Sequence, residues 1–222
     1  APRIGFTRYF ISLNDYLCLR DAAPDMKVCD LATVCYQLRS VKDEGEIEKM
    51  RMAGKALAAG MQAAIDCVKP GMMEVEVLAE AEYAMTRAGS QGSSFRMQVL
   101  THRRQMQVHP YASRARLEDH APVVIHLGAS CEGYVAKMCR TVFLGKPDPE
   151  SVRIYETLKE AQQIAIQALR PGVTCGEIYE KATEPVVAQG FEKYWGVRQI
   201  GYGVGIRQSE FYPIIAKDRK SV

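Results

Sequence analysis

The chain repeats itself, and the repeat limits what it can fold into. Ile65 to Gly71 reads IDCVKPG and Ile166 to Gly172 reads IQALRPG, an offset of 101 residues, and the same offset carries Gly89 onto Gly190. Each copy of Lys/Arg-Pro-Gly closes an apolar series with helical spacing. The first is Ile47, Met50, Gly54, Leu57, Met61, Ala64 and Val68; the second is Ile154, Leu158, Ala161, Ala165 and Leu169. Proline cannot continue the helix, and glycine supplies the left-handed residue that turns the chain out of it. A second helix follows in each copy, one over about Glu74 to Ala88 and one ending at Gly190. Thr174 with Glu177 has the spacing of a capping box that opens the latter. A duplicated helix pair predicts two similar halves about a pseudo-twofold axis.

Between and after the helix pairs lie runs dense in Val, Ile and Leu: Arg96 to His102, Val123 to Ser130, Tyr134 to Gly145 around Glu132-Gly133, and Trp195 to Ile206. Helix pairs alternating with such strands predict an α+β fold, a curved and mostly antiparallel sheet with helices on its outer face. Residues 1–40 stand outside the repeat. They carry a strand-like Lys27 to Asp30 and short helical pieces, so they read as the end of a separate N-terminal domain. Arg39-Ser40-Val41-Lys42 joins it to a second domain, residues 41–222.

Composition narrows the partners. With 47% hydrophobic and 25% charged residues over 222 positions, the chain is neither disordered nor fibrous. A net charge of +3 with interspersed signs calls for no nucleic acid and no anionic membrane. Arg103, Arg104, Arg114 and Arg116 form a local basic patch that reads as a solvated loop face. The seven cysteines are odd in number, scattered and without a CxxC, which argues against a disulfide framework or a zinc knuckle and for a reducing cytoplasm. No apolar run approaches a membrane span, and the first ten residues hold no signal-peptide core.

The stretch VVIHLGASCEGYVAKMCRT, Val123 to Thr141, sets a His and a Lys in a buried hairpin. A turn near Cys131-Glu132 would pair His126 with Lys137, about 5 Å apart at Cβ. An ammonium beside it favours the neutral imidazole. Such a pair is either a mutually satisfied structural element or a functional one, and the cost of burying a lysine favours function. Tyr202, in GYGVG, is placed to offer its hydroxyl to the same pocket; the glycines permit close strand packing and do not make a phosphate loop. Arg140 reads as structural. The absence of GxSxG argues against a serine hydrolase. His120 and His126 would lie about 20 Å apart on one strand at ~3.3 Å per residue. His102 with His109 is the open pair, with no carboxylate or thiol at recognised ligand spacing. No metal and no cofactor are expected.

Three strings, RSVKDEGEIEKMRMAGKALAAGM, HLGASCEGYVAKMCRTV and GYGVGI, together resemble the pita-bread family of creatinase, aminopeptidase P, prolidase and methionine aminopeptidase, over roughly residues 36–213. The resemblance implies a catalytic domain of two pseudo-symmetric halves, preceded in the creatinase branch by an N-terminal domain of which residues 1–40 would be the last portion. The family continues beyond the region of Tyr212 with a hairpin bearing two metal-binding glutamates, so the domain is expected to be truncated or its site abandoned. Metal-dependent members carry two hairpin aspartates and a later His in a Gly-His-Gly-like segment, and those positions are here His126, Lys137 and Tyr202. An ammonium has no lone pair and cannot replace an anionic oxygen ligand, so Lys137 is read as occupying the cation's place.

By the same resemblance His109, seventeen residues before His126, matches the catalytic His of metal-free creatinase. It would act as general acid and base, taking a proton from the attacking water and returning it to the leaving nitrogen. His126, Lys137 and Tyr202 would bind substrate, holding a carboxylate or a developing anion. The implied protein is a cytoplasmic homodimer acting on a small molecule, a metal-independent creatinase-like hydrolase of a C–N bond in a carboxylated amidine or amide. Two other readings stand beside it: an inactive scaffold that binds a peptide or protein, and an Xaa-Pro peptidase-like, ectoine-hydrolase-like or lyase activity.

Overall fold

The computed structural model describes residues 1–7, 11–108, 110–196, 199–210 and 212–217, and the chain divides into units Ala1–Lys42 and Asp43–Val222. In the first unit, strand β1 (Arg3–Phe6) pairs in parallel with β2 (Lys27–Asp30). Parallel neighbours need a crossover, and helix α1 (Leu13–Ala22) lies between them in sequence. Ser12 caps that helix, its side-chain oxygen accepting from the Asp15 N–H at 3.1 Å. Helix α2 (Ala32–Ser40) follows.

The second unit begins at Asp43, whose carboxylate accepts from the Glu46 N–H while the Glu46 carboxylate accepts from the Asp43 N–H. This reciprocal cap opens helix α3 (Glu44–Cys67), which is antiparallel in sequence order to α4 (Glu74–Arg87) after the Lys69-Pro70-Gly71 turn. The helices touch closely at Gly60, where an added Cβ would lie 2.2 Å from Met85 Cγ. Strands β3 (Gln98–Leu100), β4 (Pro122–Cys131) and β5 (Tyr134–Phe143) form an antiparallel sheet in that order. Along β4 the odd residues Val123, Ile125, Leu127 and Ala129 are buried with Ala53, Leu57, Met61, Val77, Ala81 and Met85 of the helices. Each fully buried Leu or Ile contributes about 1.5–3 kcal/mol. Because strand side chains alternate, the even residues of β4 point to the opposite face.

The repeat returns as α5 (Pro149–Ala168) and α6 (Cys175–Ala188), with Asp148 capping the first and the predicted Thr174–Glu177 box opening the second. Hydrogen bonds from the Ser151 side chain and backbone hold the Asp148 carboxyl below its usual pKa. Strands β6 (Gln199–Tyr202) and β7 (Ile214–Ala216) pair antiparallel, with an irregularity between Gln199 and Gly201. Among the described residues of the expected strand from Trp195 to Ile206, strand structure covers Gln199–Tyr202, preceded by a short 3₁₀ turn at Glu192–Tyr194. The two helix pairs are unequally covered: Leu57 is 1% exposed, whereas Leu158, its counterpart at the repeat offset, is 46% exposed. Among the described residues no helix is long and apolar enough to cross a membrane.

Candidate functional site

The hairpin turn decides which residues share a pocket. Glu132 and Gly133 both have positive φ, 48° and 81°, and Cys131 pairs with Tyr134 across them. Two successive left-handed residues make the tight two-residue connection that fits the twist of antiparallel strands. The register is therefore His126 opposite Cys139 and Gly128 opposite Lys137. The expected direct pairing of His126 with Lys137 is corrected by two positions, because the turn centres on Glu132-Gly133. A shift of two preserves the face, so His126 and Lys137 are diagonal neighbours on the side away from α3 and α4.

Phe95 joins them. Its ring centroid lies 4.4 Å from that of His126, tilted by 46°, and 5.2 Å from Lys137 Nζ. Gly128 makes the room: a Cβ there would meet Phe95 Cε1 at 2.4 Å and Ser94 Oγ at 2.3 Å. Tyr202 closes the other side. The Val135 N–H donates to the Gly205 carbonyl at 2.9 Å, which ties the glycine segment to β5. Lys137 Nζ then donates to the Tyr202 hydroxyl and sits 4.5 Å from its ring centroid. The ammonium is thus held by a hydroxyl and two aromatic faces. An ammonium only donates, so the Tyr202 proton is directed to an acceptor other than Lys137.

Gln98, on β3 opposite His126, donates from Nε2 to the Pro110 carbonyl at 2.8 Å, and its Oε1 lies 3.4 Å from His126 Nδ1. His109 itself lies outside the described residues. The segment that carries it is anchored at the N-terminus of α4. The fully buried Glu74 carboxylate accepts from the Thr101 N–H at 2.8 Å, from the Ser113 N–H at 2.8 Å and from Ser113 Oγ at 2.9 Å, and it pairs with Arg104. The basic patch is solvent-exposed at Arg103, Arg114 and Arg116, as expected, while Arg104 is half-buried in this network. Arg104 also donates to the Tyr111 carbonyl at 2.9 Å, Arg103 pairs with Glu118 at 2.8 Å, and Arg116 donates to the Gly71 carbonyl at 2.6 Å. Arg140 is exposed and donates to the Cys139 carbonyl at 2.9 Å.

Of the residues the sequence singled out, the fold brings His126, Lys137 and Tyr202 together, and it adds Phe95, Gln98 and Gly128, which the sequence reading did not single out. The one available signal was the face alternation, which places Gly128 two residues from His126. Gly128→Ala is expected to cost about 1–3 kcal/mol, because the new methyl must displace the Phe95 ring. Urea denaturation checks it; unchanged stability would mean that the ring has ample room to move.

Residues 48–222 match the family model described as Metallopeptidase family M24. The chain belongs to that family. The Xaa-Pro dipeptidase of Pyrococcus furiosus is 33% identical over 178 residues, which are 80% of this chain and 51% of that protein. A putative dipeptidase, YkvY, of Bacillus subtilis is 31% identical over 201 residues, 90% of this chain and 55% of its own length. Among solved structures, the X-Pro aminopeptidase of Thermotoga maritima superposes with a TM-score of 0.90 at 30% identity, covering 99% of this chain and 61% of that one. This M24 chain therefore has the α+β pita-bread fold, and it spans little more than half the length of these curated relatives.

The family name implies a metal, and the residues of this site do not fit one. His126, Lys137, Tyr202 and Gln98 offer one imidazole, one ammonium, a phenol and an amide, with no carboxylate to neutralise a divalent ion. Among the described residues no group of three or more His, Cys, Asp or Glu is arranged to hold a metal ion.

Proposed function

We propose that this M24 chain carries a site that hydrolyses a C–N bond in a small carboxylated substrate with protein side chains in place of a divalent metal. The observation that supports it is the Lys137 ammonium held between Phe95 and Tyr202 on the pocket face of the hairpin. A fixed cation there suits a substrate carboxylate, and the Tyr202 proton suits an oxygen that gains charge as water attacks. The water's proton passes to an imidazole and then to the leaving nitrogen, so that a C–O bond forms as the C–N bond breaks. His109 is the imidazole assigned by the creatinase resemblance. The names of the dipeptidase and prolidase relatives make Xaa-Pro dipeptides, which carry both an amide C–N bond and a carboxylate, the first substrates to test, followed by guanidino acids and ectoine. The same reading takes the protein to be a homodimer and, in keeping with its seven free cysteines, a cytoplasmic one.

A second reading has its own support. Lys137 is already satisfied by Tyr202 and two rings, as a purely structural lysine would be, which suits an inactive scaffold that binds a peptide. Hydrolysis assays with excess chelator, run beside thermal shifts with the same compounds, separate the two. Turnover that survives the chelator supports the proposal. Turnover that needs an added divalent ion overturns it, and a thermal shift with no turnover selects the scaffold.

A further inference from the structure

We infer that Gln98 is a positioning residue for the hydrolysis, pinning Pro110, the residue that follows His109, to the pocket face of the sheet; this rests on the hydrolase reading above, in which His109 carries the proton. Gln98 is 9% exposed and lies directly across the β3–β4 ladder from His126. Residues paired across a ladder point to the same side of the sheet, so Gln98 stands on the face that also carries Lys137. Its Nε2 donates to the Pro110 carbonyl at 2.8 Å. That bond runs from the sheet to the connection between β3 and β4 and fixes the chain one residue after His109.

The surroundings leave the bond little freedom. A carbonyl oxygen only accepts, so the nitrogen end of the Gln98 amide faces Pro110 and the oxygen end rests 3.4 Å from His126 Nδ1. Two arginines hold the next residue: the Arg96 guanidinium lies 3.9 Å from the Tyr111 ring centroid, and Arg104 donates to the Tyr111 carbonyl at 2.9 Å. Of these three side chains, Gln98 belongs to the buried residue. Proline has a fixed φ and restricts the residue before it, so a fixed Pro110 passes its position back along the chain to His109. An acid–base group must meet its proton within hydrogen-bond reach, and a displacement of about 1 Å can cost on the order of 100-fold in rate. Gln98 does not touch the reacting atoms; it acts through the backbone of Pro110.

The test compares the wild-type chain with Gln98→Leu, which removes the donor, and Gln98→Glu, which keeps the shape and sets an oxygen against the Pro110 carbonyl. Pro110-Tyr111 is the one Pro-Tyr pair in the sequence, so labelling proline at its carbonyl carbon with 13C and tyrosine with 15N picks out the Tyr111 amide. The Pro110 carbonyl and the Tyr111 N–H belong to one peptide group, and the Tyr111 signal is expected to move in both variants. In hydrolysis both are expected to lower kcat about 10- to 100-fold with KM held within about 2-fold, since Lys137 and Tyr202 keep their places. A merely structural Gln98 would lower the melting temperature and leave kcat unchanged. An unmoved Tyr111 signal, or a moved signal with unchanged kcat in an active enzyme, overturns the inference and leaves the hydrolase reading intact. The spectrum needs no substrate, so a moved signal in a protein whose wild type hydrolyses nothing would sink the hydrolase reading itself and reduce Gln98 to a structural anchor.

Discussion

Glu74→Ala lowers the free energy of unfolding by about 3–5 kcal/mol, the expected cost of removing one partner from a buried ion pair. The Glu74 carboxylate is 0% exposed, and its partner Arg104 has a side chain only 19% exposed. Truncation strands that guanidinium among the Tyr111 carbonyl and Ser113 hydroxyl, which carry no countercharge. It also orphans the N–H groups of Thr101 and Ser113, and each buried unsatisfied donor adds about 1–3 kcal/mol. Urea denaturation followed by circular dichroism measures the effect as a lower midpoint at constant slope. Arg104→Ala is expected to cost less in the Glu74→Ala background than alone, the signature of two residues in one network. A loss below about 0.5 kcal/mol would show that the network is decorative, being within the range of ordinary surface substitutions.

Lys137→Met is expected to reduce kcat/KM about 10- to 100-fold, chiefly through a higher KM, because a hydrogen bond from a charged donor to the substrate carboxylate is worth about 1.5–3 kcal/mol. Methionine keeps the unbranched stem between Phe95 and Tyr202, so the change isolates the charge from the packing. Stability should move by no more than about 1 kcal/mol, since the lost cation–π contacts are of that size. Steady-state kinetics beside thermal melting reads the two effects separately. Undiminished turnover in a folded Lys137→Met protein would remove Lys137 from the site and shift the weight to the scaffold reading.

The helix pairs were legible because their information is local. A 3.6-residue period, a Pro-Gly stop and a Thr-x-x-Glu cap all lie within one segment, and the structure realises each of them. The site was legible only in part. The hairpin put His126 and Lys137 on one face, but the register depended on which two residues take positive φ, and Glu132 does so without being Gly, Asn or Asp. Phe95 stands in no sequence pattern that marks it; its place comes from the missing Cβ at Gly128. Gln98 and Glu74 owe their roles to partners 12 to 39 residues away, beyond the reach of any spacing rule. The glycine-rich segment misled in the other direction, since β6 stops at Tyr202, before Gly203 and Gly205.

The Glu74 hub also has a signature in time. Thr101 and Ser113 lie in the connection between β3 and β4, where backbone amides ordinarily exchange with deuterium quickly through local opening. Both donate to a carboxylate sealed at the base of α4. Their exchange therefore awaits the opening of the α4 N-terminus, and they should fall into the same slow class as the Val99 and Ile125 amides of the sheet. Two amides that look like loop positions on the chain would behave, kinetically, as part of the unit that opens last.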